Sequence, residues 1–350
     1  MKILFTNMLE PVIVKGHKNF DSKIINFLSE IGELVVVCPQ SWYVDLPEIV
    51  KVYNISNYSN LSGRWAYYGY AFNIINYVCR LDKLFNFDYI LFESFENYLI
   101  VYALFKIRNA RTRVYIMHHN NVDNIESNIK ANMVFKLYCK RVNHITLDEF
   151  ISNHLIDIYG LNRKIVQYIP HPMCNTLNKN SSTRVFDCIG ISNSNEEEWI
   201  EEFIKLEERE AWFLNHKKKV VFRSRFNKFD NGFLKVIKGY IKDEDYLYYY
   251  SNAKSVFLPF PKNFHYRMSG SLVDSISNYS VVIGTDIPLI NWFSHKYPTI
   301  CKKVKDITDF LRFLEKEEYN VKKSEFNDFI YEHSEQAVKK VLNSIFFDRG

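Results

Sequence analysis

Ser255-Val256-Phe257-Leu258 is an apolar run of strand length. It leads through Pro259-Phe260-Pro261-Lys262-Asn263-Phe264-His265-Tyr266-Arg267-Met268 into Ser269-Gly270-Ser271-Leu272-Val273-Asp274-Ser275-Ile276-Ser277-Asn278, with helical spacing over 271–278. The chain then enters a second apolar run, Val281-Val282-Ile283-Gly284. Strand, helix and strand in that order form a β-α-β unit, whose two strands run parallel. The alternation continues in both directions. Upstream in the same half, strands are expected at 186–189, 219–222 and 234–238, and helices at 196–214 and 243–251. Two more helices are expected downstream, at 307–316 and 323–346. The first half repeats the pattern, with strands at 2–6, 34–38, 50–55, 89–93, 114–117, 144–147 and 166–169 and helices at 20–31, 66–85, 98–107 and 149–159. Strict alternation implies a parallel sheet covered on both faces.

Between the halves, Pro170-His171-Pro172 fixes an extended segment, and 175–183 is polar and poor in apolar residues. Prolines of that kind end a regular element, so the linker belongs there. The reading is therefore an α/β chain of two Rossmann-like doubly wound domains: 1–172, 173–335, and a C-terminal helix over 336–350 that packs back on the first domain. Ligands of this architecture bind at the carboxyl ends of the strands.

Composition agrees and excludes several alternatives. A chain of 350 residues, 47% hydrophobic and 24% charged, suits two cores better than one. The formal charge of +5 is too small to argue for nucleic acid. Six cysteines are scattered without a C-x-x-C pair, which suits free buried thiols in a reducing compartment. The apolar start, Met1 to Phe5, is too short for a signal peptide, and the run 98–107 is about half a bilayer span. A cytoplasmic location follows. No His, Cys and carboxylate cluster at ligand spacing appears, so no metal and no cofactor are expected. The abundant Phe and Tyr read as compositional bias.

The loop and helix of the opening stretch carry chemistry. Ser269 is a good N-cap, and Gly270 lets another group approach the backbone. The first amides of such a helix, Ser269 to Ser271, together with its dipole make an anion site. Arg267 just before it can add a two-pronged contact to phosphate. Asp274, one turn in, can reach the hydroxyls of an attached ribose.

Four pieces in this half, in order and spacing, resemble the C-terminal domain of GT-B glycosyltransferases, particularly glycosyltransferase family 4 and its group-1 relatives. They are Gly239-Tyr240-Ile241-Lys242-Asp243-Glu244-Asp245-Tyr246, Tyr250-Ser251-Asn252-Ala253-Lys254-Ser255-Val256-Phe257-Leu258-Pro259, Arg267-Met268-Ser269-Gly270, and Ser280-Val281-Val282-Ile283-Gly284-Thr285-Asp286. More loosely, Tyr115-Ile116-Met117-His118-His119-Asn120 is similar to the family's strand-then-His element, and 146–150 with 165–172 to its last N-domain helix and exit. Of the family's two acidic positions seven residues apart, Asp274 takes the second and Tyr266 stands at the first.

The resemblance implies a metal-independent hexosyltransferase whose two domains face a central cleft. It would be a retaining enzyme, moving a sugar from a nucleotide-diphosphate donor, UDP-linked, to a hydroxyl of a glycan, lipid-linked or protein-linked acceptor. The implied setting is bacterial surface polysaccharide or glycoconjugate assembly. His118 or His119 would then shape the sugar and acceptor side of the cleft. Arg267, Ser269, Gly270, Ser271, Asp274, Asn193, Arg223 and Tyr240 would hold the donor. Glu10 and His17 flank the first strand-to-helix loop, where an inverting enzyme carries its base, and Lys15-Gly16-His17 is what remains of the family's glycine-rich opening. The aromatic, weakly basic segment 63–72 suits a peripheral contact with the inner face of a membrane. Two alternatives share the architecture: a nucleotide-sugar 2-epimerase, which needs carboxylates and a His to move protons, and a non-catalytic subunit that partners another glycosyltransferase.

Overall fold

The computed structural model describes residues 1–8, 18–39, 42–43, 46–55, 64–107, 109, 111–174, 184–316 and 319–347. Glu10, Lys15, Gly16, His17, Gly63 and the linker 175–183 lie outside the described residues. The chain divides into two compact units, one of Met1–Pro172, Tyr266–Met268 and Glu335–Gly350, the other of Met173–His265 and Ser269–Ser334.

In the first unit the order is β1 (Lys2–Asn7), α1 (Lys18–Ser29), β2 (Glu33–Pro39), β3 (Lys51–Ile55), α2 (Arg64–Phe85), β4 (Tyr89–Ser94) and α3 (Asn97–Lys106). It continues through β5 (Arg113–His118), α4 (Asn121–Ser127), α5 (Ile129–Tyr138), β6 (Asn143–Thr146), α6 (Glu149–Tyr159) and β7 (Val166–Tyr168). The strands form one sheet in the order β3-β2-β1-β4-β5-β6-β7, and all pairs are parallel. β4 is buried along its whole length and β1 along all but its first residue, as strands covered on both faces must be.

The second unit runs β8 (Phe186–Gly190), α7 (Glu197–Glu210), α8 (Trp212–Asn215), β9 (Val220–Ser224), β10 (Phe229–Asp230), β11 (Leu234–Lys238) and α9 (Asp243–Ser251). Then come β12 (Ala253–Leu258), α10 (Gly270–Ser277), β13 (Val281–Thr285), α11 (Pro288–Lys296), β14 (Cys301–Val304), α12 (Ile307–Glu315) and α13 (Lys323–Glu332). Its sheet has the order β10-β11-β9-β8-β12-β13-β14. Only β10 runs antiparallel, as a short edge strand on β11. The aromatic content does structural work in this core: Phe203 stacks on Phe222 with centroids 4.9 Å apart, and Phe257 lies 4.4 Å from Phe310. Losing one such ring costs about 3–5 kcal/mol. A final helix, α14 (Glu335–Phe347), belongs to the first unit. There Tyr89 Oη donates to the Phe346 carbonyl at 2.9 Å, and the rings of Tyr89 and Tyr115 each pack 5.1 Å from that of Phe346.

Two expected helices are each broken in two. The helix expected over 196–214 stops at Ala211, which adopts a left-handed φ of 47°. The Glu207 carboxylate then accepts from the amides of Phe213 and Leu214 at 2.7 and 3.2 Å, restarting the chain as α8. The helix expected over 323–346 ends at His333, and Ser334 turns back to donate its hydroxyl to the Tyr331 carbonyl at 2.8 Å. The sequence reading passes over α4, α5, α11, β10 and β14.

In both sheets the strand order reverses once, between β1 and β4 and between β8 and β12. At such a point neighbouring strands send their connections to opposite faces, which opens a crevice beyond their carboxyl ends. In the second unit Asn193 follows β8 and the start of α10 follows β12, the two strands at the reversal, and in the first unit His119 follows β5, the strand beside β4.

Candidate functional site

In the second unit the crevice lies between the loops that follow β8 and β12. Gly190 ends β8 with no space for a side chain, because a Cβ there would come 2.6 Å from the Phe222 ring and 3.1 Å from the Phe257 carbonyl. The chain thus leaves the sheet tightly, and Asn195 Nδ2 pins the loop by donating to the Gly190 carbonyl at 2.7 Å. Arg223, at the end of β9, donates Nε to the Gly239 carbonyl at 2.8 Å and Nη1 to the Asn193 carbonyl at 3.3 Å. Its guanidinium therefore ties together the Asn193 loop and the turn that carries Tyr240. Burial and the nearby Arg225 lower its pKa, against the opposing effect of Glu197. Tyr240 is 70% exposed and its hydroxyl donates to Asp243 Oδ1 at 2.8 Å. Glu197, in the acidic first turn of α7, accepts from Ser224 Oγ at 2.5 Å and from the Arg225 amide at 2.8 Å.

The loop after β12 ends at Ser269, whose hydroxyl accepts from the Leu272 amide at 3.3 Å and caps α10. Gly270 and Ser271 are only partly buried. Their amides are the orphan donors of a helix start, with no partner among the described residues. A Cβ at Gly270 would meet nothing within 4 Å. Asp274 follows one turn later, 4% exposed, and accepts from Tyr246 Oη at 3.0 Å. Burial pushes the Tyr246 phenol well above its ordinary range, so it remains a donor to that carboxylate. The helix start thus offers two open amides, a dipole and a buried carboxylate on one side of the crevice.

Tyr266 and Arg267 belong to the first unit. Asp123 of α4 accepts from the Tyr266 amide at 2.6 Å and pairs with Arg267 Nε at 2.9 Å. The Tyr266 ring stacks on His154 with centroids 3.5 Å apart. Arg267 therefore has a carboxylate partner, and Tyr266, at the position where the family carries an acid, is a stacking residue.

The crevice of the first unit gathers a buried polar cluster. Asn7, at the end of β1, donates Nδ2 to Asp21 Oδ2 at 3.2 Å and to Glu93 Oε2 at 3.0 Å. Tyr43 donates its hydroxyl to Asp21 Oδ2 at 2.6 Å, and Ser94 to Glu93 Oε2 at 2.7 Å. His119 Nε2 closes on Glu93 Oε1. Both carboxyls are fully buried. Burial and then the adjacent Glu93 push the Asp21 carboxyl well above the usual carboxylate range, which favours its protonated form. Glu93 lies against His119 through Oε1 and accepts from Asn7 and Ser94 through Oε2. Phe20 meets the His119 ring edge-on at 5.2 Å and the His171 ring at 5.0 Å. A carboxylate–imidazole pair beside a protonated carboxyl can orient hydroxyls and move protons.

The two histidines after β5 part company. His118 is fully buried between Phe95 and Phe135 and stacks on His144 at 5.2 Å. His144 Nε2 faces the Cys139 carbonyl at 2.7 Å and must carry its proton there. His144 Nδ1 is thus an acceptor, and His118 Nε2 donates to it at 2.9 Å. Burial lowers His118 well below its ordinary value and takes His144 to about 4. His118 is a neutral interior group, and His119 is the one at the crevice. Sequence reasoning had His119 in view but missed Asn7, Asp21, Tyr43, Glu93 and Ser94. Glu93 did leave a signal, a carboxylate closing the apolar run Tyr89-Ile90-Leu91-Phe92.

All six cysteines are free, and burial pushes the thiols of Cys38, Cys188 and Cys301 to about 12. Among the described residues no group of three or more His, Cys, Asp or Glu is arranged to hold a metal ion, and no helix is long and apolar enough to cross a membrane.

No family model and no curated protein sequence matches the chain. Solved structures do. Sucrose-phosphate synthase from Thermosynechococcus elongatus superposes with a TM-score of 0.68 at 9% identity, covering 99% of this chain and 98% of that one. The lipopolysaccharide outer core galactosyltransferase WaaB matches with a TM-score of 0.63 at 12% identity over 100% of both chains. UDP-N-acetylglucosamine 2-epimerase from Rickettsia bellii matches with a TM-score of 0.62 at 13% identity, covering 100% and 96%. Identities this low establish architecture and not reaction. The chain has the GT-B fold found in glycosyltransferases, built from two Rossmann-like domains with a parallel-dominated sheet of seven strands in each.

Proposed function

We infer that the chain is a glycosyltransferase that moves a sugar from a nucleoside-diphosphate sugar, UDP-linked, to a hydroxyl of a glycan, lipid-linked or protein-linked acceptor. The observation that carries this reading is the start of α10 at the strand-order reversal, where the amides of Gly270 and Ser271 have no acceptor among the described residues and a Cβ at Gly270 would meet nothing within 4 Å. In this reading those amides and the helix dipole take the diphosphate and stabilise the charge that grows on it as it leaves. Arg223 and Arg267 add positive charge, and Asp274 accepts from the ribose hydroxyls. Tyr240, an exposed ring on the turn that Arg223 holds, stacks on the base.

The bond from the anomeric carbon to the β-phosphate oxygen breaks and its electron pair stays with the diphosphate. The acceptor oxygen bonds to the anomeric carbon. Its proton passes to the departing phosphate oxygen in the retaining course that the family resemblance implies. His119, held by Glu93, orients the hydroxyls on the acceptor side. No metal enters this scheme. A bacterial surface polysaccharide is the acceptor setting we favour, supported by the resemblance and by the name of the galactosyltransferase that shares the fold.

Gly270→Ala tests the central claim. Its added methyl meets no protein atom, so folding should be unchanged or stabilised by up to about 1 kcal/mol. Crowding of a phosphate over the amide should weaken UDP binding by about tenfold or more in calorimetry. Equal affinity removes the diphosphate from this helix start.

A second reading is favoured by one observation. Asp21, Glu93 and His119 supply the carboxyls and the histidine for a nucleotide-sugar 2-epimerase: a base takes the C2 proton as the C1–O bond breaks and the nucleoside diphosphate leaves, and the diphosphate adds back to C1 as a proton returns to the other face of C2. Incubation of a UDP-sugar alone in deuterated water separates the two readings: deuterium at C2 without any acceptor supports the epimerase, and its absence eliminates it.

A further inference from the structure

The outward surface of α3 and α5 in the first unit is apolar where a helix of a globular domain is ordinarily polar. On α5, Ile129, Met133 and Leu137 are 79%, 65% and 71% exposed. The inner face of the same helix is fully accounted for by Ala131, Phe135 and Tyr138. It is locked to α3, because Asn97 Nδ2 donates to the Ala131 carbonyl at 2.8 Å and Tyr138 hydrogen-bonds Asn97 Oδ1. The three apolar side chains therefore cannot turn inward. At about 100° per residue they lie within one arc of roughly 80°, the exposed Lys130 and Lys136 fall beside that arc, and the exposed Lys140 follows in the short turn Cys139–Arg141. On α3, Phe105 is 68% exposed and is followed by Lys106. Neither helix contains an acidic residue. Glu126, just before α5, is occupied by His154 and Tyr159 at 2.9 and 2.8 Å. Phe72 of α2, 42% exposed, stacks on Tyr102 of α3 at 4.8 Å.

We propose that this face docks on an anionic lipid surface, with Ile129, Met133, Leu137 and Phe105 entering the interface and the lysines meeting the headgroups. Single apolar side chains interleaved with lysines are the composition of an interfacial amphipathic helix, in which long alkyl stems let the ammonium groups rise to the headgroups. Protein interfaces are built differently, with lysine depleted from their centre. A second copy of this chain is a poor occupant, since an isologous contact sets the same cations against one another. The proposal goes beyond the transfer reaction and does not depend on it.

The test is co-sedimentation of the full chain with vesicles of phosphatidylcholine alone or mixed with phosphatidylglycerol. Binding should require phosphatidylglycerol and fade with salt. Lys130→Glu, Lys136→Glu and Lys140→Glu combined should reduce the partition coefficient on the order of a hundredfold, given the contribution of each basic residue near such a surface. Met133→Asp with Leu137→Asp should reduce it by about tenfold or more. All five positions are exposed, so unchanged circular dichroism and thermal midpoint are expected and serve as the folding control. No binding to anionic vesicles, equal binding to neutral ones, or undiminished binding of either variant overturns the proposal. So does a concentration-dependent dimer that both variants abolish in the absence of vesicle binding.

Discussion

Acid should weaken the first unit through His118 and His144, and the size of the effect can be worked from their surroundings. In the unfolded chain both imidazoles titrate near the ordinary value of about 6.5. In the folded chain burial holds His144 down to about 4, and burial together with its neighbour His144 moves His118 in the same direction. A depressed folded pKa means that the unfolded chain takes up protons which the folded chain refuses, over the interval between the two values. Stability is therefore insensitive to these groups above about pH 6.5 and falls as the pH drops toward 4. At about 1.4 kcal/mol per unit, His144 alone accounts for roughly 3 kcal/mol across that window, and His118 adds to it. His144→Gln keeps a donor for the Cys139 carbonyl and an acceptor for His118 Nε2 but removes one titration. Urea unfolding followed by circular dichroism, at intervals from pH 7 to 4, should show the first unit's transition losing about 3 kcal/mol less in the variant than in the wild type. The comparison cancels the carboxylates, which titrate in both proteins. The same pH dependence in both would refute the buried neutral pair and return His118 to the candidates for catalysis.

Four further outcomes are expected. Asp274→Asn should weaken a ribonucleotide more than its 2′-deoxy counterpart, because an amide keeps one acceptor oxygen where the carboxylate has two. The double-mutant cycle should give a coupling of roughly 0.5–3 kcal/mol, and a coupling near zero with both proteins folded would separate Asp274 from the ribose. Arg267→Ala should weaken nucleoside-diphosphate binding by about 1.5–3 kcal/mol in calorimetry, whereas Asp123→Asn should not; unchanged affinity in Arg267→Ala assigns the guanidinium to Asp123 alone. Transfer should survive EDTA, and full loss rescued by manganese would reverse the metal-free assignment. Asp21→Asn should gain stability over the wild type as the pH rises from 4 to 8. The raised pKa of Asp21 gives stability that is full below the ordinary carboxylate value and lost as the pH climbs toward the folded one, and an amide never loses it. A stability difference independent of pH would show that Asp21 ionises freely.

The strands other than β10 and β14 were legible because a parallel sheet wound on both faces needs runs that are apolar throughout, and such runs as Ile3-Leu4-Phe5 and Val281-Val282-Ile283 admit few other readings. α5 was not legible, and the reason is physical. A helix announces itself by a single apolar stripe, but α5 is apolar on its inner face at Ala131, Phe135 and Tyr138 and on its outer face at Ile129, Met133 and Leu137. Two stripes on one short helix cancel the period, so the feature that hid the helix is also the one that calls for an occupant. The break between α7 and α8 hid for another reason. It depends on a left-handed Ala211 sustained by Glu207, and an alanine gives no local sign of positive φ.

The two crevices differ in the same way. The one in the second unit was readable because its helix start, Ser269 to Asp274, is continuous in sequence: cap, open glycine and carboxylate fall within six residues. The cluster in the first unit joins positions 7, 21, 43, 93, 94 and 119, which come from five separate stretches of chain. Nothing local relates them. What relates them is that β1 lies beside β4, and β4 beside β5, so that Asn7, Glu93 and His119 leave the sheet at adjacent strand ends. Strand order is a property of the whole domain. A reader of the sequence who accepted the doubly wound reading could have used it one step further, by placing the first and fourth strands together at the reversal and asking which polar residues close them. Asn7 and Glu93 answer that question, and a fully buried carboxylate at such a place demands a partner, because an uncompensated charge there costs several kcal/mol. His119 supplies the partner, and that requirement, more than its place after a strand, separates it from His118.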